Sequence, residues 1–187
     1  VMPNEDGYFK TSVWKHARSR IVWLLVLMLS ATITGAITNH FEPLISTVPL
    51  LVSFMSMLTG TGGNCGSQSS TMVIQGMAME EIRLKDFFRV VFKEFRIALI
   101  CSVILAAVNF VRIIFMYQNV KIAAIVSITL IGTVILSKLL GCMLPMLAKK
   151  IHIDPAIMSA PLLSTLVDSC STLLYFTIAM KILNVAV

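Results

Sequence analysis

Charge is what this sequence has least of. Asp, Glu, Lys and Arg make up 13% of its 187 residues, against about 25% in an ordinary soluble domain. Hydrophobic residues make up 57%, and the mean hydropathy is +0.90. Such a composition cannot be hidden inside one water-facing core, so lipid is the solvent for much of the chain. A cleavable signal pattern is missing, because the first apolar run has no small-residue cleavage site and further hydrophobic runs follow it. The chain opens on Val1 and a polar stub, which leads us to expect an upstream part. Paired metal ligands are missing too. Cys65, Cys101, Cys142 and Cys170 show no CxxC spacing and sit in apolar segments, as free buried thiols do. His16, His40 and His152 lie far apart, so no zinc or nickel site is expected on them. The net charge of +6 is spread over helix ends, which fits cytoplasmic loops and phospholipid contact rather than nucleic acid.

What is present is a series of long apolar runs. Lys15, Arg18 and Arg20 form a basic collar before the uncharged run 21–38, a first membrane helix with Trp14 and Trp23 as interface anchors. A polar turn, 39–43, follows. From Pro43 to Met79 there is no charge at all. One straight helix of that length would span roughly 55 Å, against a hydrocarbon core of about 30 Å. The run must therefore break or leave the core. The expected place is 60–68, where Gly60, Gly62, Gly63 and Gly66 weaken a helix and Asn64, Ser67 and Gln68 can satisfy freed backbone groups. The second span is thus expected over about 44–76, broken near 60–68.

Between Glu80 and Arg96, Leu84, Phe87, Phe88, Val91, Phe92 and Phe95 recur at helical spacing, with Arg83, Lys85, Arg89, Lys93 and Arg96 around them. That pattern predicts an amphipathic helix on the membrane surface, leading into a third span at 97–116. A fourth span, 122–147, ends near Pro145, and a fifth runs over 155–180. With five spans, the N-terminal stub, the surface helix and the Lys149–Lys150 loop share one side and hold most of the Lys and Arg. The positive-inside rule then places the N-terminus in the cytoplasm and the C-terminus outside. The fold class is all-α: a multi-pass membrane protein of five transmembrane helices plus a cytoplasmic-side amphipathic helix.

Asp168 is the only charge between Pro155 and Met180, and it lies halfway along. A carboxylate at membrane depth is costly unless it meets a cavity, a partner or an ion. Ser164, Thr165, Ser171 and Thr172 fall one turn before or after it. A stripe of hydroxyls about a central carboxylate suits a hydrated cation, although Ser and Thr also bond their own helix carbonyls. Pro161, one turn earlier, frees a backbone carbonyl and can bend the helix. The bland alternative for Asp168 is a protonated or salt-bridged structural carboxyl, with Lys138 as a candidate partner. One carboxylate alone is a weak dication site. A two-fold homodimer would bring two together, and two carboxylates with retained waters suit Mg²⁺, which dehydrates reluctantly. For the glycine-rich segment two readings stand side by side. One is close helix packing by small residues; the other is an unwound pore-lining stretch, Gly62 and Gly63 included, offering carbonyls and the Asn64 or Gln68 amides to ions or water.

At these residues the sequence resembles the membrane domain of the MgtE magnesium channel family. The matching stretches are Gly60-Thr61-Gly62-Gly63-Asn64 with Gly66 and Gln68, Phe41-Glu42, and Met143-Leu144-Pro145. The last runs from Asp154-Pro155-Ala156 through Pro161-Leu162 to Asp168 and Leu173-Leu174-Tyr175. They cover nearly the whole chain in order. The resemblance implies a homodimer with its pore between subunits, lined by spans two and five. It implies that Asp168 of each subunit faces a hydrated Mg²⁺, with the Ser164 backbone carbonyl one turn away. Ala160, where family members carry Asn, removes a polar group from one level of that path. The family's cytoplasmic N domain and CBS modules would lie upstream, joined by a plug helix. Residues 1–17 would then be the end of that linker and 18–187 the transmembrane pore domain of a plasma-membrane or inner-membrane protein.

Four functions compete at this stage. Channel-like Mg²⁺ transport leads. An ion-coupled secondary transporter of a divalent metal such as Co²⁺ or Mn²⁺ would use the same broken helix and midplane carboxylate. A membrane-embedded enzyme is disfavoured, because no His or second acid accompanies Asp168 for proton transfer. A purely structural subunit would tolerate loss of Asp168.

Overall fold

The computed structural model describes residues 12–152 and 154–185. Six α-helices follow in order: α1 (Val13–His40), α2 (Glu42–Thr47), α3 (Val52–Ala78), α4 (Phe87–Tyr117), α5 (Val120–Lys150) and α6 (Pro155–Leu183). Single 3-10 turns at Pro49–Leu51 and Leu84–Asp86 lead into α3 and α4, and no strand occurs among the described residues. The five long helices have 27 to 31 residues, about 40–47 Å each at 1.5 Å per residue. Among the described residues, Leu84–Tyr117, Val120–Lys150 and Leu162–Leu183 are long and apolar enough to cross a membrane. Helix α3 is as long but carries Thr59, Thr61, Asn64, Ser67, Gln68 and Ser69 through its middle, which lowers its apolar character.

Three expectations need correction. Residues 60–68 do not break: α3 is continuous from Val52 to Ala78. The charge-free run bends earlier, where α2, Val48 and the turn Pro49–Leu51 fold back. Pro49 lacks the N–H needed to continue a helix. The Leu51 carbonyl accepts the buried Tyr175 hydroxyl of α6 at 2.9 Å, while Leu44 and Leu51 are fully buried. The stacking of Phe41 on Phe176, with centroids 5.1 Å apart, completes this plug of side chains. Second, no separate surface helix spans Glu80–Arg96. Glu80 takes a left-handed φ of 59°, 81–83 are not helical, and Phe87–Arg96 is the first part of α4 itself. Third, Pro145 does not end its helix, since α5 runs on to Lys150. Helix α1 starts at Val13 behind a Ser12 cap.

Helix α5 is the central post and packs against α3, α4 and α6. Its buried residues run all along it, from Ile122 to Ala148. Helix α4 buries only a thin stripe of Ala98, Ser102, Ala106, Asn109 and Ile113, whereas Phe92, Ile100, Val103, Ile104, Val108 and Phe115 face outward, as lipid-facing residues do. A two-residue loop joins α4 to α5. Gln118 there adopts the left-handed conformation and Asn119 caps Ile122 N–H at 3.1 Å. Helix α1 packs on α6, where Thr34 and Ser169 hydroxyls meet at 2.8 Å.

Contacts between helix ends set the directions. Lys149, at the end of α5, donates to the Met77 carbonyl at the end of α3, 3.4 Å away. A cation there also complements the helix dipole. At the opposite end Phe54 meets Tyr117 edge-on at 5.5 Å. Helices α3 and α5 therefore run one way, and α4 and α6 the other.

Two glycines set how closely α3 meets its neighbours. A Cβ on Gly141 of α5 would run into the Gly66 carbonyl oxygen of α3, and one on Gly66 would lie 3.0 Å from the Ser137 carbonyl oxygen. Only residues without a side chain allow this backbone approach.

Candidate functional site

Helix α3 has two unlike faces. Leu58, Gly62, Cys65, Gly66, Ser69 and Val73 are buried against the rest of the subunit. Ser56, Thr59, Gly60, Gly63, Asn64 and Ser67 follow at helical spacing on the other side and line an open groove of about 430 Å³. Helix α6 closes one wall of that groove with Ser164 and Asp168. Ser164 is exposed and Asp168 half-buried. Gly60 and Gly63 have nothing within 4 Å of where a Cβ would be, so the groove floor there is bare backbone.

Asp168 is placed by packing on the opposite side of its own helix. Leu163 and Val167 are buried, and Val167 reaches to 2.7 Å from the Cβ position of Gly62. With that side pinned inward, residues 164 and 168 are left facing out. The groove thus presents a carboxylate, hydroxyls, the Asn64 amide and exposed backbone, all oxygen-rich groups that hard cations and their waters accept. Among the described residues no three His, Cys, Asp or Glu side chains gather as a metal site. Among the described residues, Asp168 is the carboxylate that lines this groove.

The residues singled out from sequence divide into three groups. Asp168, Ser164, Gly63 and Asn64 meet at the groove. Gly62, Ser171 and Thr172 do not. Gly62 packs on Val167, Thr133 and Ser137, while Ser171 and Thr172 are 1% and 2% exposed inside the subunit. The Thr165 hydroxyl bonds its own helix at the Leu162 carbonyl, 3.0 Å away. Ala160 and Pro161 lie on α6, but their side chains are outside the described residues. Reading the sequence missed Ser56 and Thr59, and gave Ser67 only the task of satisfying freed backbone groups. Their signal was available as the helical repeat 56, 59, 60, 63, 64, 67, which the expectation of an unwound segment concealed.

Lys138 is not the partner of Asp168. It is 5% exposed, and its ammonium points to Ser69 Oγ at 3.4 Å on the packed side of α3. Cys65 is likewise buried, so it offers no handle on the groove. At the end of α4 near its loop to α5, Arg112 donates to Asn109 Oδ1 at 2.8 Å and approaches Met57 Sδ at 2.9 Å.

Comparison with known proteins adds the chemistry of the relatives. The family model described as MgtE, divalent cation transporter, matches residues 55–178. The chain is 37% identical over 179 residues to the magnesium transporter MgtE of Bacillus subtilis, covering 94% of this chain and 39% of that protein. It is 33% identical over 166 residues to the protein of the same name from Thermus thermophilus, covering 89% and 37% respectively. For the Enterococcus faecalis protein of that name the figures are 29% over 165 residues, 88% and 36%. The chain therefore spans less than two-fifths of the length of these curated relatives.

Proposed function

Because this chain belongs to the MgtE family of divalent cation transporters, we propose that it forms the ion path of a membrane Mg²⁺ transporter, assembled from two copies whose Asp168 grooves face each other. The observation that carries this reading is the meeting of Ser164 and Asp168 with the polar stripe of α3 on a surface that the chain leaves open. One carboxylate neutralises half of a dication. A two-fold partner supplies the second, since a closed two-fold interface brings the same patch from both copies together. Two carboxylates with several retained waters match the reluctance of Mg²⁺ to dehydrate. Asp168 then binds the hydrated ion electrostatically, and the hydroxyls, the Asn64 amide and the bare backbone at Gly60 and Gly63 hold its waters.

In this reading α1, α3, α4, α5 and α6 are the five spans, with lipid against the outer faces of α1 and α4. The alternating directions of α3, α4, α5 and α6 support that topology. So does the gathering of Arg83, Lys85, Arg89, Lys93, Lys149 and Lys150 toward one end, which the positive-inside rule makes cytoplasmic. Tyr117–Val120 and the C-terminus then face outside, and labelling of Lys149→Cys from outside would overturn this orientation. Transport is channel-like: Mg²⁺ runs down its gradient without a coupled ion. The test is Mg²⁺ uptake into liposomes carrying the chain, with a pH dye inside. The proposal expects uptake without stoichiometric proton flux. Proton flux in fixed proportion to Mg²⁺ would instead support a coupled transporter.

A further inference from the structure

A second set of charges lies on the packed side of α3. Ser69 Oγ is 2.6 Å from Glu94 Oε2 of α4, and Lys138 Nζ of α5 is 3.4 Å from the same Ser69 oxygen. An ammonium only donates hydrogen bonds and an ionised carboxylate only accepts them. The direction is therefore fixed: Lys138 donates to Ser69, and Ser69 donates to Glu94. Ser69 is 1% exposed and Lys138 5%, so bulk water does not compete freely for these bonds. The two charges balance across the hydroxyl. Losing Glu94 would leave Lys138 buried and uncompensated, a costly state at low dielectric, whereas Glu94 itself is half-buried.

The position of this chain of bonds matters more than its strength. The pocket of about 780 Å³ beside it is lined by Lys138, Ser69 and Glu94 together with Asn64 and Ser67. Asn64 and Ser67 also line the Asp168 groove. The same short stretch of α3 thus forms the groove wall and carries the central hydroxyl of the relay. The glycine contacts at Gly62 and Gly66 hold α3 close to α5, but van der Waals contact without side chains resists sliding weakly. Directional hydrogen bonds to two neighbouring helices fix both the rotation and the height of α3.

We infer that Lys138, Ser69 and Glu94 form a relay that sets the register of α3 against α4 and α5, and so sets the Mg²⁺ affinity of the Asp168 groove. They are positioning residues, none of which touches the ion. This inference rests on the proposed Mg²⁺ path.

The experiment compares Lys138→Met, Glu94→Gln, the double variant, Ser69→Ala and Ser69→Thr in liposomes. It reads half-saturating Mg²⁺ and the Mg²⁺-to-Na⁺ flux ratio, with gel filtration to count folded protein. Each single charge variant is expected to shift half-saturation by on the order of 2- to 30-fold, the usual range for a coupling residue. The double variant is expected to fall back toward wild type, because it removes both charges together. Ser69→Ala should shift half-saturation while leaving both charges in place, and Ser69→Thr should restore it. Wild-type half-saturation and flux ratio in every folded variant would overturn the inference, as would single effects that simply multiply in the double variant. If a single charge variant does not fold, folding of the double variant shows the coupling and the two Ser69 variants carry the transport readout. If the wild-type chain passes no Mg²⁺, the transport reading fails by itself. Thermal unfolding of the same set in detergent then decides the relay: a non-additive double variant supports it and an additive one refutes it.

Discussion

On α3, Gly62 and Gly66 look inward while Gly60 and Gly63 look outward, and the two pairs do different work. The inward pair allows backbones to touch: Gly66 lies against the backbone of α5, and Gly62 receives Val167, Thr133 and Ser137. The outward pair touches nothing in the subunit and leaves backbone open to the groove that Asp168 shares. A sequence rich in one residue type therefore serves two purposes, separated by about 100° of helix rotation per residue. The inward pair sets how closely α3 approaches its neighbours, and the outward pair leaves backbone bare in the groove.

The strongest way to break the comparison is to fill the inner side. Gly141→Leu drives a side chain into the Gly66 backbone, where no flexible group can yield. Overpacking costs about 1–3 kcal/mol and occasionally more, and here the obstacle is rigid backbone, so loss of the folded species on gel filtration is expected. Gly63→Ala, on the outer side, meets open space and gains helix propensity, so it should hold or slightly raise the unfolding temperature while altering transport. A Gly63→Ala protein that unfolds as readily as Gly141→Leu would erase the distinction between the faces.

Crosslinking sharpens it next. Asn64 is exposed beside the groove and Cys65, its neighbour, is buried. Asn64→Cys is expected to form disulfides between copies in membranes, while the native Cys65 forms none. Efficient crosslinking through Cys65 would place the dimer contact on the wrong side of α3.

Smaller effects belong to the groove wall on α6. If the groove holds a hydrated ion, Asp168→Glu keeps the charge but pushes it into the space of the ion's water, and uptake should fall by about tenfold, the equivalent of ~1.4 kcal/mol. Ser164 is exposed, so Ser164→Ala should change uptake by about twofold, the scale of a surface substitution. A larger loss for Ser164→Ala than for Asp168→Glu, measured in the same liposomes, would move the principal ligand from the carboxylate to the serine.

Much of this was legible in the sequence, for identifiable reasons. The long helices follow from uninterrupted apolar runs, and Asp168 stands out because no other charge shares its span. The error over 60–68 came from weighing glycine by its intrinsic helix propensity, which costs about 1 kcal/mol per residue. Tertiary contact reverses that judgement here, since Gly62 and Gly66 are what permit α3 to lie against α5. Lys138 was out of reach for another reason. Its partners, Ser69 and Glu94, come from two other helices, and no spacing within one helix reveals them. Ser171 and Thr172 show the converse limit. They share the periodicity of Asp168, yet neighbouring helices cover them.

The central claim is that Asp168 holds the ion in the groove. Asp168→Asn preserves the shape of the side chain and removes one negative charge from each subunit. Mg²⁺ uptake into liposomes, measured on protein that gel filtration shows to be folded and dimeric, tests the claim directly. If Asp168 holds the ion, Asp168→Asn loses most Mg²⁺ uptake and its preference for Mg²⁺ over Na⁺, while a folded Asp168→Asn dimer with wild-type Mg²⁺ uptake would show that it does not.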